Sequence, residues 1–137
     1  MMDHALEAAF AAFLQVSPGL DGVHTFAAHE NAEHGLPAIT VAAKSDPLAG
    51  SCNVFRADLA LLIESEAHDS RPEVHALLVE NVRAVLGDKA RVLEMIRAGG
   101  AVHLYGYTFT GSTLEVDGTR FHTTLTIKVG YGNPHAG

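Results

Sequence analysis

The chain has one cysteine, Cys52, and no tryptophan in 137 residues. A single cysteine excludes an internal disulfide, a zinc ribbon and a C-x-x-C redox pair. Standing alone, it reads as a small apolar packing residue. Cations are scarce as well: nine Lys and Arg against sixteen Asp and Glu leave a net charge of −7. Nucleic-acid phosphates are held by Lys and Arg, so this balance disfavours gripping DNA or RNA, and no specific nucleic-acid partner is expected. No run of about 18 apolar residues occurs, so no membrane span is expected. The start of the chain lacks the basic residues and apolar run of a signal peptide, which points to the cell interior as the place of assembly. Phosphate loop, dinucleotide fingerprint and G-x-S-x-G are all missing. On motifs alone, no residue is assigned as catalytic, cofactor-binding or metal-binding, and no cofactor is expected.

What is present is a globular composition, 47% hydrophobic and 18% charged, which separates the chain from disordered sequences. The length predicts one domain, over residues 1–131, with 132–137 as a loose Gly- and Pro-rich tail. A chain of this size buries around two thirds of its unfolded surface and folds without a metal or disulfide. The nine histidines still raise a metal question, most sharply at His29-Glu30-Asn31-Ala32-Glu33-His34. A zinc-peptidase helix needs two His four residues apart. Here the second lies five residues on, about 140° around a helix from the first, and Gly35-Leu36-Pro37 stops any helix at once. The stretch reads as a solvated loop.

Hydrophobic periodicity predicts a first helix over about 3–16, with Met2, Leu6, Ala9, Phe10, Phe13 and Val16 inward and His4, Glu7, Ala11 and Gln15 outward. A polar segment leads to a short buried strand, 38–43, and a breaker-rich loop, 44–51. A long strand is expected over 52–64, with Phe55, Ala57, Leu59, Leu61 and Ile63 on one face. Ser70-Arg71-Pro72-Glu73 is a capping box with Pro in the first turn. The helix it opens shows Val74, Leu77, Leu78, Val82 and Val85 on one face, flanked by His75, and ends at Gly87. Asp88 caps a shorter helix that Gly99-Gly100 closes. A strand at 101–110, a turn at Gly111-Ser112, a strand at 113–116, a hairpin turn at Asp117-Gly118 and an alternating strand at 120–130 complete the order. Gly130-Tyr131-Gly132 follows a strand with no helix after it, so it reads as a tail rather than a cofactor loop. The pattern is α+β: a mostly antiparallel sheet of about five strands, with two central helices and an N-terminal helix on one face.

Three groups of side chains could carry function. Glu64, Glu66, His68, Asp69 and Arg71 gather around a strand end, where a carboxylate–imidazole pair could do acid–base work; a solvated strand-to-helix connection explains them more simply. His68, Asp69 and His75 can be drawn as metal ligands, but the capping box accounts for that stretch. His103, Tyr105, Tyr107 and Phe109 form an aromatic stripe, either core or an exposed contact face.

The order of elements resembles the small tail-terminator, or tail-completion, proteins of long-tailed bacteriophages and prophages. The resemblance runs from the N-terminal helix through "LPAITVAAKSDPL", "CNVFRADLALLIES", "SRPEVHALLVENVRAVL" and "VHLYGYTFTGS" to "GTRFHTTLTIKVG". It covers residues 1 to about 131 and rests on length, element order and strand style; a Trp expected near Phe121-His122 is missing. It implies a structural protein of the virion tail, not an enzyme. Such subunits form a ring, typically a hexamer, that stops growth of the tail-tube protein and docks the head–tail connector protein. Loops 44–51 and 110–119 are then the expected contacts with neighbouring rings. The alternatives are another head–tail connector subunit and a small hydrolase such as a hotdog-type thioesterase, with Glu73 or His75 as its acid or base.

Overall fold

The computed structural model describes residues 3–28, 35–47, 54–66, 72–117 and 120–132. Three helices and five strands follow in the order α1 (Asp3–Gln15), β1 (His24–Ala27), β2 (Ala38–Pro47), β3 (Val54–Glu66), α2 (Pro72–Gly87), α3 (Lys89–Gly99), β4 (His103–Asp117) and β5 (Arg120–Gly132). The strands form one sheet, ordered β1-β2-β3-β5-β4. β1 runs parallel to β2 and every other pair is antiparallel. The expected α+β architecture is therefore present.

Period-two alternation decides which face of the sheet is buried. Ala57, Leu59, Leu61 and Ile63 of β3 face the helices, in register with Leu125, Ile127 and Val129 of β5 and Ile39 and Val41 of β2. Leu6, Phe10 and Leu14 of α1, Val82 and Leu86 of α2, and Val92 and Ile96 of α3 close over them. Phe10 meets the edge of the Tyr107 ring, at 6.2 Å and 83°. The opposite face carries Arg56, Asp58, Thr124 and Lys128, and among the described residues no helix covers it.

Several expectations need correction. α1 buries a wider arc than its apolar stripe: Glu7 and Ala11 are inside, while Val16 is 66% exposed. Glu7 is inside because β1 ends at the level of Val41, so the β2 backbone beyond it lacks a strand partner. The Glu7 carboxylate fills that place, accepting the Ala43 N–H at 2.9 Å. The segment expected to be polar with two strand-like residues contains a four-residue strand, β1. The supposed loop at 44–51 continues as strand through Pro47; its remainder lies outside the described residues, as do Cys52, the 29–34 histidine stretch, Ser70 and the Gly118 turn position.

Gly111-Ser112 makes no turn. β4 is one strand of 15 residues, with register shifts between Leu104 and Gly106 and between Phe109 and Gly111. Each shift absorbs an extra residue without reversing the chain. β5 likewise extends through Gly132, so Tyr131 is core rather than tail. It is fully buried, with its hydroxyl 2.6 Å from Ser45 Oγ.

The helix ends match their chemistry. Asp88 Oδ1 accepts the Arg91 N–H at 3.4 Å as N-cap, and Gly100 takes the left-handed cap at φ +78°. That conformation is cheap only without a Cβ. α2 begins at Pro72 and ends at Gly87 as expected, but its inner face differs: Val74 and Leu77 are exposed, and His75, Val82 and Leu86 are buried.

Candidate functional site

His75 lies one turn into α2, where the helix crosses the ends of β3 and β5. It is 3% exposed. Its Nδ1 is 2.6 Å from Ser65 Oγ and its Nε2 is 2.7 Å from Thr123 Oγ1. Ser65 and Thr123 both point to the helix side, two residue pairs apart along β3 and β5. The Phe121 ring lies beside the imidazole at 5.4 Å. A neutral imidazole has one N–H and one bare nitrogen, so one hydroxyl accepts from His75 and the other donates to it. Burial pushes the His75 pKa down, and the nearby His122 pushes it further the same way. The ring is therefore held neutral.

Chemically, a neutral imidazole between two hydroxyls can accept a proton from either. Its surroundings favour an anchor over a catalyst. Both nitrogens are taken by hydroxyls, leaving no place for the carboxylate that orients the base in a nucleophilic triad. Ser65 and Thr123 are each only 6% exposed. A groove of about 310 Å³ passes over His75 between α2 and the β4–β5 hairpin, walled by Ala76, Val79 and Leu114. The expectation that His75 merely flanks the helix is thus overturned, and Glu73, its suggested alternative as acid or base, is exposed.

The acidic cluster expected after β3 also resolves differently. Glu64 points to the open face of the sheet, away from His75. Its Oε2 is 3.3 Å from Arg120 Nη1 and 3.3 Å from His122 Nδ1. These partners come from β5 through register, Glu64 opposite His122 and Glu66 opposite Arg120. No local spacing could have revealed them. His68, Asp69 and Arg71 lie outside the described residues. Among the described residues, no three of His, Cys, Asp and Glu gather closely enough to hold a metal ion.

The aromatic stripe of β4 is broken by the register shift at Tyr105. Tyr107 turns inward and its hydroxyl donates to the Leu86 carbonyl; burial, and then Asp88, push its pKa up to about 12. Tyr105 stays half-exposed against His103, with ring centroids 4.9 Å apart. Neither of the two readings of the stripe, core or contact face, holds for all four residues.

Three apolar features stand on the described surface. Leu114 and Val116 stand 61% and 63% exposed on the hairpin, within a run of six exposed residues, 111–116. A shallow groove of about 390 Å³ lies between α1 and α3, lined by Ala8, Ala12, Val16 and Met95 among others. Val74 and Leu77 form a third apolar patch on α2. Exposed Ala8, Ala12 and Val16 fall at four-residue steps on one edge of α1, and that spacing was readable; the groove was not, because α3 supplies its other wall. Among the described residues no helix is long and apolar enough to cross a membrane. No family model matches this chain, and no curated protein matches its sequence.

Proposed function

We propose that this protein is a structural subunit of a long-tailed phage or prophage tail, forming a ring that ends the tail tube and docks the head–tail connector. The observation that carries this reading is the β4–β5 hairpin. Its 111–116 run is exposed throughout and presents two large apolar side chains to solvent. Large apolar side chains displayed on an edge strand mark protein contact. Three separate apolar patches on one small domain suit a subunit that meets several neighbours at once. In this reading the protein catalyses no reaction, and His75 pins α2 to the sheet. The low cation count suits a ring whose opening passes DNA without holding it.

Absolute mass in solution tests the reading, measured by light scattering behind a sizing column over a range of concentration and salt. A species near six times 14.5 kDa, or a monomer that builds rings as concentration rises, is the expected result. An unchanging tight dimer or tetramer contradicts it and favours the small-hydrolase alternative.

A further inference from the structure

We propose that His75 is a proton-operated latch: protonating its imidazole releases residues 72–81 of α2 from the sheet while the rest of the helix stays in place. The inference goes beyond the ring reading and does not depend on it.

The two halves of α2 are held differently. Among residues 72–81, His75 is the only buried side chain; Leu78, Val79 and Asn81 are half-buried and the other six are exposed. His75 is tied by polar bonds, to Ser65 of β3 at 2.6 Å and Thr123 of β5 at 2.7 Å. At the boundary Asn81 Nδ2 donates to the Gly19 carbonyl at 3.4 Å, a long and exposed bond. Residues 82–87 are tied by packing. Val82 and Leu86 are fully buried, and Val85 lies against the core. The Tyr107 hydroxyl donates to the Leu86 carbonyl, and Arg83 Nη2 donates to Ser112 Oγ at 2.9 Å. Apolar packing does not respond to pH, whereas an imidazole titrates near neutrality. Mild acid therefore acts on the first half of the helix.

Protonation need not break the two hydrogen bonds, because both hydroxyls can turn to accept from an imidazolium. What the site lacks is an anion for the buried charge, and a buried cation is tolerated only when paired. Among the described residues no carboxylate bonds to His75. On β3, Glu64 turns to the open face, where Arg120 and His122 of β5 meet it, and Glu66 is exposed. On β4, Glu115 is exposed and lies across from His122 on that same open face. On α2, Glu73 is exposed, and Glu80 lines the groove over His75 but stands in solvent. His75 is also the fourth residue of α2, close to the free N–H groups that make a helix start positive. Burial, and then His122, already hold its pKa below 6.5.

A ten-residue segment off the sheet keeps little helix in water. Release uncovers Phe121 and Val79, which line the groove with Leu114, so the apolar surface at this end of the sheet widens as pH falls. The sign follows from linkage. The open state takes up its proton at the ordinary imidazole value and the closed state only below it. Closure is therefore complete above about 6.5, and opening rises by up to about tenfold for each pH unit below that.

Amide hydrogen exchange on the whole chain, read as protection factors from pH 8 to pH 5, tests the latch. Amides 76–81 should be less protected than 83–87 at every pH. Their protection should fall by up to about tenfold per unit below about pH 6.5. His75→Gln, which keeps a donor and an acceptor but does not titrate, should abolish that fall. A single protection factor shared by 76–81, 83–87 and β5 would mean that α2 leaves only with the whole fold, and overturns the proposal. A parent protein whose 76–81 protection ignores pH overturns it too, as does a pH dependence that survives in His75→Gln. Should that variant not fold, the imidazole NMR signals of His75 in the parent protein decide. They should titrate in step with the loss of protection at 76–81, and titration out of step overturns the latch.

Discussion

The two edges of the sheet are finished in opposite ways. At the β1 edge the strand is only four residues long. Side chains of α1 take over where it ends: Gln15 bonds the β1 backbone on its outer side, and Glu7 occupies the β2 backbone beyond it. Short strands with occupied donors are how a sheet avoids joining another chain by accident. At the other edge β4 is 15 residues long. It carries two register shifts, and its exposed run 111–116 holds Leu114 and Val116 out in solvent. α2 crosses the neighbouring β3 and β5, and its Ala76 and Val79 share a groove with Leu114. The contrast teaches that one edge of the sheet has backbone groups bonded by helix side chains, while the other displays large apolar side chains to solvent.

Substitutions can break or sharpen this contrast, and the largest effect is expected at His75, where α2 meets the open side. His75→Phe keeps the ring but leaves the Ser65 and Thr123 hydroxyls buried without their partner, at a cost of about 2–4 kcal/mol in unfolding free energy. The same residue sets a pH dependence. Its folded pKa lies below the ordinary imidazole value of 6.5, so the unfolded chain binds the proton first. Its contribution is whole above about 6.5 and declines as pH falls below that value toward the folded pKa. Denaturant titrations of the parent protein should therefore show stability falling with acid through this window, and His75→Phe should lose that part of the slope. An unchanged slope would mean that another group sets it.

At the closed edge, Glu7→Ala should cost about 1–3 kcal/mol, since the Ala43 N–H loses its acceptor. Glu7→Gln, which keeps an oxygen there, should cost less. If thermal unfolding shows no difference between the two, the carboxylate is not what closes β2. The smallest effect on stability is expected at the open edge. Leu114→Ser should change unfolding free energy by no more than about 0.5 kcal/mol, as exposed positions usually do, while lowering self-association. A larger loss of stability would show that Leu114 supports the groove over His75 rather than a partner.

Much of the fold was legible because its signals are local. Caps and breakers placed α2 and α3 to within a residue or two: Pro72 in the first turn, Asp88 as N-cap, Gly100 as the left-handed stop. Strict alternation fixed the inward row of β5 and of β3. The candidate site was legible hardly at all. His75 looked like a flanking residue because helical periodicity ranks apolar positions, and Val74 and Leu77 outscored it. What buries His75 is the pair of hydroxyls waiting at Ser65 and Thr123, which are 10 and 48 residues away along the chain. Glu64 was grouped with residues just after it, yet it meets His122 and Arg120 through strand register.

The amino-acid sequence by itself determined the α+β class, the ends of the central helices and the inward faces of the long strands. These follow from backbone capping and from periods of 3.6 and 2, which act over a few residues. Tertiary structure decided what no short window contains. It paired β1 with β2 in parallel, kept β4 running through Gly111 by pairing it along β5, and drew Tyr131 into the core. It also buried Glu7 and His75, two polar side chains, because each found a backbone or hydroxyl partner brought close only by folding. Burial of a polar group is tolerable only when such a partner is present, and the partner's location is a property of the assembled sheet.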